Sequence, residues 1–199
     1  MISWDERYAG DEYVYGTSPN LWLVAQSRRL PRRARVLALG EGEGRNAVWL
    51  AQEGHDVHAV DGSGVGLAKA RRLAETRGVH IETTVADLAV HLPAPGAYDA
   101  VVLVFVHLPP DARVAMHRAA EEALSPGGLV LIEAFTPRQL QHGTGGPRDA
   151  AMLYEPAALR SDFARVSWDV LEEVEVDLDE GALHRGRAAV VRGVGRRTG

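Results

Sequence analysis

Short apolar runs alternate with amphipathic stretches along the 199 residues of the chain. Residues 36–39 form an unbroken apolar run, as in a strand buried on both faces of a parallel sheet. Residues 46–52 carry apolar side chains at helical spacing, and Gly54 stops that helix. Residues 56–60 read as a second strand, closed by Asp61. Gly40, Gly42 and Gly44 lie between the first strand and its helix. Glycine there lets the backbone turn sharply and lets a ligand approach without meeting a Cβ. A carboxylate at the end of the following strand commonly accepts hydrogen bonds from ribose hydroxyls. The unit therefore predicts binding of an adenosine-containing cofactor.

The same alternation continues. Gly62-Ser63-Gly64 turns into a helix over residues 65–77, and residues 79–85 form a third strand. Asp87 and Leu88 follow at its end: a carboxylate to accept from an exocyclic amine, and an apolar side chain to pack on a purine. Residues 99–106 are the most apolar run and read as the central strand, ended by His107-Leu108-Pro109-Pro110. A helix over 111–124, a tight turn at 125–128 and a strand over 129–134 come next. Residues 136–147, with three glycines and two prolines, read as a surface loop near the site. A helix over 156–163 and two strand-like runs, 167–176 and 186–194, suggest an antiparallel pair completing the sheet. Arg192, Arg196 and Arg197 read as a frayed basic tail. Before the first strand, residues 20–30 look helical, whereas no clean period runs through residues 5–20. Trp4, Tyr8, Tyr13, Tyr15 and Trp22 place five of twelve aromatics in this opening segment. It reads either as an arm anchored by aromatics or as a lid over the cofactor.

Composition narrows the class. The chain is 46% hydrophobic and 25% charged, ordinary for one globular domain of this length. Absence of cysteine excludes disulfides, thiolate metal sites and a cysteine nucleophile. No apolar run approaches the roughly 18 residues of a membrane span, and the start lacks a secretory pattern, so the cytoplasm is the expected setting. A net charge of −5 argues against a general nucleic-acid surface. The expected partner is a small molecule, without nucleic acid or membrane, for a monomer or homodimer. Lys69 is the only lysine. The histidines show no metal-ligand spacing.

The glycine spacing bears on which cofactor binds. A dinucleotide G-x-G-x-x-G/A pattern starting at Gly40 fails at Arg45; starting at Gly42 it passes at Ala47 but ends the strand early. Gly40, Gly42 and Gly44 fit a G-x-G-x-G loop directly. Three features carry a resemblance: Leu-Ala-Leu-Gly-Glu-Gly-Glu-Gly-Arg-Asn at 37–46, Asp61 at a strand end, and Leu-Ser-Pro-Gly-Gly-Leu-Val-Leu-Ile at 124–132. On these the chain resembles the class I S-adenosylmethionine (SAM)-dependent methyltransferases. The Gly-Arg-Asn after the loop and the opening Trp4-Asp5-Glu6-Arg7-Tyr8 resemble the small bacterial tellurite-resistance-type branch. So do Thr144-Gly145-Gly146-Pro147 and the stretch from Glu180 to Gly186.

The resemblance implies an α/β fold: a Rossmann-like, doubly wound, seven-stranded sheet, mostly parallel with an antiparallel C-terminal strand and helices on both faces. It implies one domain over 1–199, with residues 1–22 as arm or lid. It implies SAM-dependent methyl transfer to a small molecule, against the alternatives of a non-catalytic SAM-binding module or an NAD(P)-dependent oxidoreductase. The cofactor residues implied are Tyr15, Gly40, Glu41, Gly42, Gly44, Arg45, Asp61, Gly62, Ser63, Asp87, Leu88 and Phe105. Ala38 stands where the superfamily usually has an acid, so Glu41 or backbone carbonyls are expected to meet the cofactor's amino group. His107, at the end of the central strand, is the expected general base; His184, Glu133 and His142 are weaker candidates.

Overall fold

The computed structural model describes residues 3–181 and 184–199. Helix α1 (Trp4–Tyr8) and helix α2 (Leu21–Ser27) precede strand β1 (Arg35–Leu39). Then come α3 (Arg45–Gln52), β2 (Asp56–Asp61), α4 (Gly64–Thr76), β3 (Glu82–Val85) and β4 (Tyr98–Val104). The chain continues with α5 (Pro110–Ala123), β5 (Leu124–Phe135), α6 (Pro156–Asp162), β6 (Val166–Asp179) and β7 (Arg185–Arg197). The seven strands lie in the order β3-β2-β1-β4-β5-β7-β6. Strands β1 to β5 pair in parallel, and β7 runs antiparallel to both β5 and β6.

Period-two alternation sorts side chains to the two faces of the sheet. On β1, Val36 and Ala38 join Leu23 of α2, Val48 and Leu50 of α3, and Leu67 and Ala70 of α4. Leu37 and Leu39 face the other way, onto Met116 and Ala120 of α5 and Leu159 of α6. The centre of the sheet is thus covered on both faces, which is why β1 and β4 are largely apolar, whereas the edge strand β3 (Glu-Thr-Thr-Val) is not.

Several expected boundaries move. The third strand begins at Glu82, because residues 79–81 do not pair with β2. The turn at 125–128 lies inside β5 as an excursion: Tyr98 opposes Leu124 and Ala100 opposes Leu129. The C-terminal pair is longer than expected, because the ladder continues to Asp179↔Arg185 at one end and Val166↔Arg197 at the other. Arg192, Arg196 and Arg197 therefore belong to β7 and are not a frayed tail. They pair with Glu133, Asp169 and Glu122 respectively. Within the expected loop at 136–147, Pro137–Gln141 forms a 3-10 turn, and the Gln139 carboxamide accepts from the Ala189 N–H at 2.9 Å.

Helix α1 falls where no periodic element was expected. Five residues are too few to show a helical period, but Ser3 and Glu6 form a capping box. Its signature, Ser-x-x-Glu, stands in the sequence.

Candidate functional site at the carboxyl edge of the sheet

The glycine turn leaves β1 at the carboxyl edge of the parallel strands. Gly40, Gly42 and Gly44 all have positive φ: +65°, +59° and +91°. A Cβ at Gly40 would lie 2.6 Å from Val106 Cγ2, and one at Gly44 would lie 2.5 Å from Ala70 Cβ on α4. The loop is bound to β2 through the Gly40 N–H, which donates to the Val60 carbonyl at 2.8 Å. Asp61 fixes it further. One carboxylate oxygen accepts from the Gly42 N–H at 2.8 Å and the other from the Ser63 N–H at 2.7 Å. Each oxygen keeps a lone pair for a further donor. Burial raises the Asp61 pKa, opposed by those two backbone donors.

Glu41 turns back onto α3. Its Oε1 accepts from the Asn46 and Ala47 N–H groups at 2.9 and 2.7 Å, satisfying donors that the glycine N-cap leaves open. That spends one oxygen on the helix, so Glu41 is a capping residue and not a freely placed substitute for the acid missing at Ala38. Burial pushes its carboxyl up to about 7 against the pull of the two N–H donors.

The N-terminal segment is fastened over this loop at several points. Tyr8 is buried, and its ring lies against Gly42 and Gly66; a Cβ on Gly42 would lie 2.7 Å from the Tyr8 hydroxyl. Asp5 accepts from the Ser63 hydroxyl at 2.5 Å and from the Val65 N–H at 3.2 Å, at the start of α4. Ser63 also accepts from the Gly66 N–H as the N-cap of α4, so its hydroxyl bonds both Asp5 and the helix start. Lys69 Nζ donates to the carbonyls of Gly10 and Glu12 at 2.9 and 2.7 Å and pairs with Glu43 at 2.5 Å. Glu43 in turn accepts from the Val14 N–H at 2.8 Å.

Beside the loop, at the ends of β4 and β5, a second group of residues gathers. Phe105 follows β4 with φ +56°, a left-handed conformation that is strained for an aromatic residue and costs about 1–3 kcal/mol. Such outliers persist where surrounding contacts hold them. Here the Phe105 N–H donates to the Glu133 carbonyl at 2.8 Å, and its ring stacks on Phe135 at 4.6 Å. His184, in the turn between β6 and β7, meets the rings of Tyr15 and Phe105 at 4.6 Å and Phe135 at 5.4 Å. Burial, and then the positive field of Arg45, push its pKa down to about 3, so the imidazole is neutral.

Below that group lies a buried polar network joining distant parts of the chain. The Asn20 carboxamide donates to Glu133 at 2.5 Å and to Glu180 at 2.8 Å. Arg192 Nε donates to Glu133 at 2.7 Å, and Arg45 Nη2 to Glu180 at 2.7 Å. Glu133 is wholly buried and spoken for at both oxygens, which removes it as a candidate base.

His107 is the main correction. Its Nδ1 bonds the Met152 carbonyl at 2.8 Å, and its Nε2 accepts from the Phe135 N–H at 3.2 Å. One nitrogen donates and the other accepts, which fixes a neutral tautomer with no lone pair left for a substrate proton. Burial holds its pKa down at about 4. His107 straps the loop before α6 to the end of β5.

Of the other expected residues, Asp87 is exposed at the end of β3, with one oxygen accepting from the Ala89 N–H at 2.9 Å. Leu88 is buried with Leu39 and Val60. Gly62 has ordinary φ, and a Cβ there would meet the Ala86 carbonyl oxygen at 3.8 Å, an ordinary contact. Tyr15 accepts from Arg7 Nη1 at 3.2 Å. His142 caps the 3-10 turn away from this group. Sequence reasoning missed the roles of Lys69, Glu43, Asn20 and Glu180, whose long-range partners lie 26 to 160 residues away. The one signal was that Lys69 is the only lysine of the chain.

Comparison with known proteins agrees with this architecture. Residues 36–128 match the family described as "Methyltransferase domain". Over 70 residues the chain is 37% identical to the tRNA 5-carboxymethoxyuridine methyltransferase of Escherichia coli K12, covering 33% of this chain and 27% of that enzyme. The match thus spans about a quarter of the curated relative's length. Among solved structures, one described as "Conversion of a Disulfide Bond into a Thioacetal Group during Echinomycin Biosynthesis" superposes with a TM-score of 0.79. It is 20% identical, over 98% of this chain and 88% of that one. TehB from Haemophilus influenzae gives a TM-score of 0.72 at 19% identity, over 98% of this chain and 66% of that one. Residues 36–128 thus match a methyltransferase domain, and the whole chain shares its seven-stranded, mostly parallel fold with these solved structures.

Proposed function

We propose that the protein transfers a methyl group from SAM to a small-molecule acceptor. The observation that carries this reading is a juxtaposition at one sheet edge. The positive-φ glycine loop and Asp61 adjoin the strained Phe105 and its ring of Tyr15, Phe135 and His184. The first group is a turn whose positive-φ glycines let Val106, Tyr8 and Ala70 approach the backbone closely, with a carboxylate suited to ribose hydroxyls. The second is a packed aromatic cluster with few polar atoms beside that loop, the kind of lining small-molecule sites usually have.

SAM brings a methyl carbon already activated by its sulfonium; the protein's task is binding, alignment and exclusion of water. Gly40, Gly42 and Gly44 would seat the methionine part, Asp61 would accept from the ribose, and Leu88 and Asp87 would flank the adenine. Residues 1–22 would act as an arm that opens to admit SAM, since Tyr8 lies on the loop and Lys69 holds the segment down. The net charge of −5 favours a small acceptor over RNA.

The test is calorimetric titration with SAM, with its demethylated product S-adenosylhomocysteine (SAH) and with NADH. Binding of the first two and not the third is expected. Binding of NADH alone would select an oxidoreductase. SAM binding without turnover on any thiol, amine, carboxylate or hydroxyl acceptor would select a non-catalytic module.

A further inference from the structure

Three features of the chain have no part in the site above, and they meet at the opposite, amino edge of the sheet. They are the basic run after α2, the arginines that end β7, and the excursion at 125–128 in β5. The excursion opens that edge. Tyr98 opposes Leu124 and Ala100 opposes Leu129, so Asp99 between them has no register partner on β5. Gly127 turns there with φ +78°, and a Cβ on it would meet nothing within 4 Å. The result is a cavity of about 330 Å³ between the end of α2, the start of β4 and the excursion. That volume lies at the small end of the range for small-molecule sites, about 300–1,000 Å³.

Arg29 and Arg196 line this cavity from opposite ends of the chain. Both guanidinium groups turn to one carboxylate, Asp169, at 3.7 and 3.6 Å, beyond hydrogen-bond reach. Arg29 spends only its Nε, on Gln26 at 3.0 Å, and the Arg196 side chain donates no hydrogen bond among the described residues. Two positive charges against one negative leave an excess of one, with most of the N–H donors uncommitted. The planar fork of arginine matches a carboxylate. Asp99 lines the same cavity. Its Oδ2 accepts from the Arg35 N–H at 2.8 Å; among the described residues its Oδ1 accepts no hydrogen bond and the carboxylate has no ion pair. The charges are therefore sorted, one net positive beside the arginines and one negative at Asp99. Leu30, Pro126 and Leu129 supply apolar lining.

We propose that this cavity binds a small zwitterion, a free amino acid with an apolar side chain. Its carboxylate is held by Arg29 and Arg196, its ammonium by Asp99, and its side chain lies on Leu30, Pro126 and Leu129. A phosphate dianion would set two negative charges against one excess positive charge, with Asp99 opposing it, so a carboxylate is preferred. The site is separate from the glycine loop. Asp99 lies at the amino end of β4 and Phe105 just beyond its carboxyl end, roughly 20 Å along the strand. Binding here therefore does not depend on SAM.

The experiment is calorimetry on the full chain with L-leucine, 4-methylpentanoate (leucine without its amine), 3-methylbutylamine (leucine without its carboxylate) and inorganic phosphate. Leucine is expected to bind at least tenfold tighter than each of the other three. Arg196→Gln removes a side chain that makes no hydrogen bond among the described residues, so the fold is expected to hold. It should weaken both leucine and 4-methylpentanoate at least fivefold. Asp99→Asn keeps an oxygen to accept from the Arg35 N–H. It should weaken leucine at least fivefold and leave 4-methylpentanoate unchanged. Saturating SAH should not alter the leucine affinity. No binding of leucine at millimolar concentration overturns the proposal. So does binding of either half-molecule or of phosphate as tightly as leucine, or an unchanged leucine affinity in either variant. Displacement of leucine by SAH also overturns it, because that would place leucine at the cofactor edge. If Asp99→Asn does not fold, Arg196→Gln and the four wild-type titrations still decide.

Discussion

Lys69 Nζ lies 2.5 Å from Glu43 Oε1, and both side chains are almost completely buried. The ammonium also takes the carbonyls of Gly10 and Glu12, and the carboxylate takes the Val14 N–H. One ion pair therefore ties the glycine loop, α4 and the N-terminal segment together.

Breaking that pair from one side leaves an uncompensated buried charge. Lys69→Met is expected to cost about 3–5 kcal/mol of stability, and the double variant Lys69→Met/Glu43→Gln to recover part of that loss. Denaturant unfolding measures both. Additive losses in the double variant would show that the two groups act independently.

The same fastening gives an expectation for motion. Hydrogen exchange at residues 5–16 should slow when SAM is added, with the central strands unchanged. Identical exchange with and without SAM would make the segment packing only, not a lid.

Asp61→Ala removes the acceptor shared by Gly42 and Ser63 and, on the proposed reading, the ribose partner. SAM affinity should fall by about 1.5–3 kcal/mol, a tenfold to hundredfold rise in Kd. Calorimetry on a variant shown to be folded decides this; an unchanged Kd removes Asp61 from the cofactor site.

Glu41 sets a pH dependence. Its folded pKa of about 7 lies above the 4.5 of an ordinary glutamate. Between those values the folded state binds the proton and the unfolded state does not. The stabilisation is complete below pH 4.5 and is lost as pH rises through 7, on the order of a few kcal/mol. Glu41→Gln keeps an acceptor for the Asn46 and Ala47 N–H groups. It should flatten the stability-versus-pH curve over that window, measured by urea unfolding at successive pH values. A curve parallel to the wild type would show that Glu41 ionises normally.

His107→Asn breaks the strap between Met152 and Phe135 and should cost about 1–3 kcal/mol of stability. The shape of the kcat–pH profile should not change, because no free nitrogen of His107 faces a substrate. Disappearance of a limb of that profile would restore His107 as a base.

How much of this was legible follows from sequence distance. The glycine loop, Asp61 and the Pro-Gly-Gly excursion at 126–128 are local patterns, and each stands where its spacing put it. His107 was correctly placed at the end of the central strand. Its hydrogen bonds come from Met152 and Phe135, which no local pattern connects to it. Lys69 was unreadable for the same reason: its carbonyl partners Gly10 and Glu12 lie 59 and 57 residues away. The Asn20–Glu133–Glu180 network is more distant still.

The reversed direction of β7 has a consequence for how the protein could change. Because β7 runs opposite to β5, the tip of the β6–β7 hairpin is delivered to the edge where β4 and β5 end. Phe135, Glu180 and His184 all come from beyond residue 128, where the match to the methyltransferase domain stops. The glycine loop and Asp61 come from within it. On the proposed reading, replacing Glu180 and His184 with a relative's residues would alter the surroundings of a fixed cofactor loop, and Asn20 and Arg45, which bond Glu180, would have to change with them.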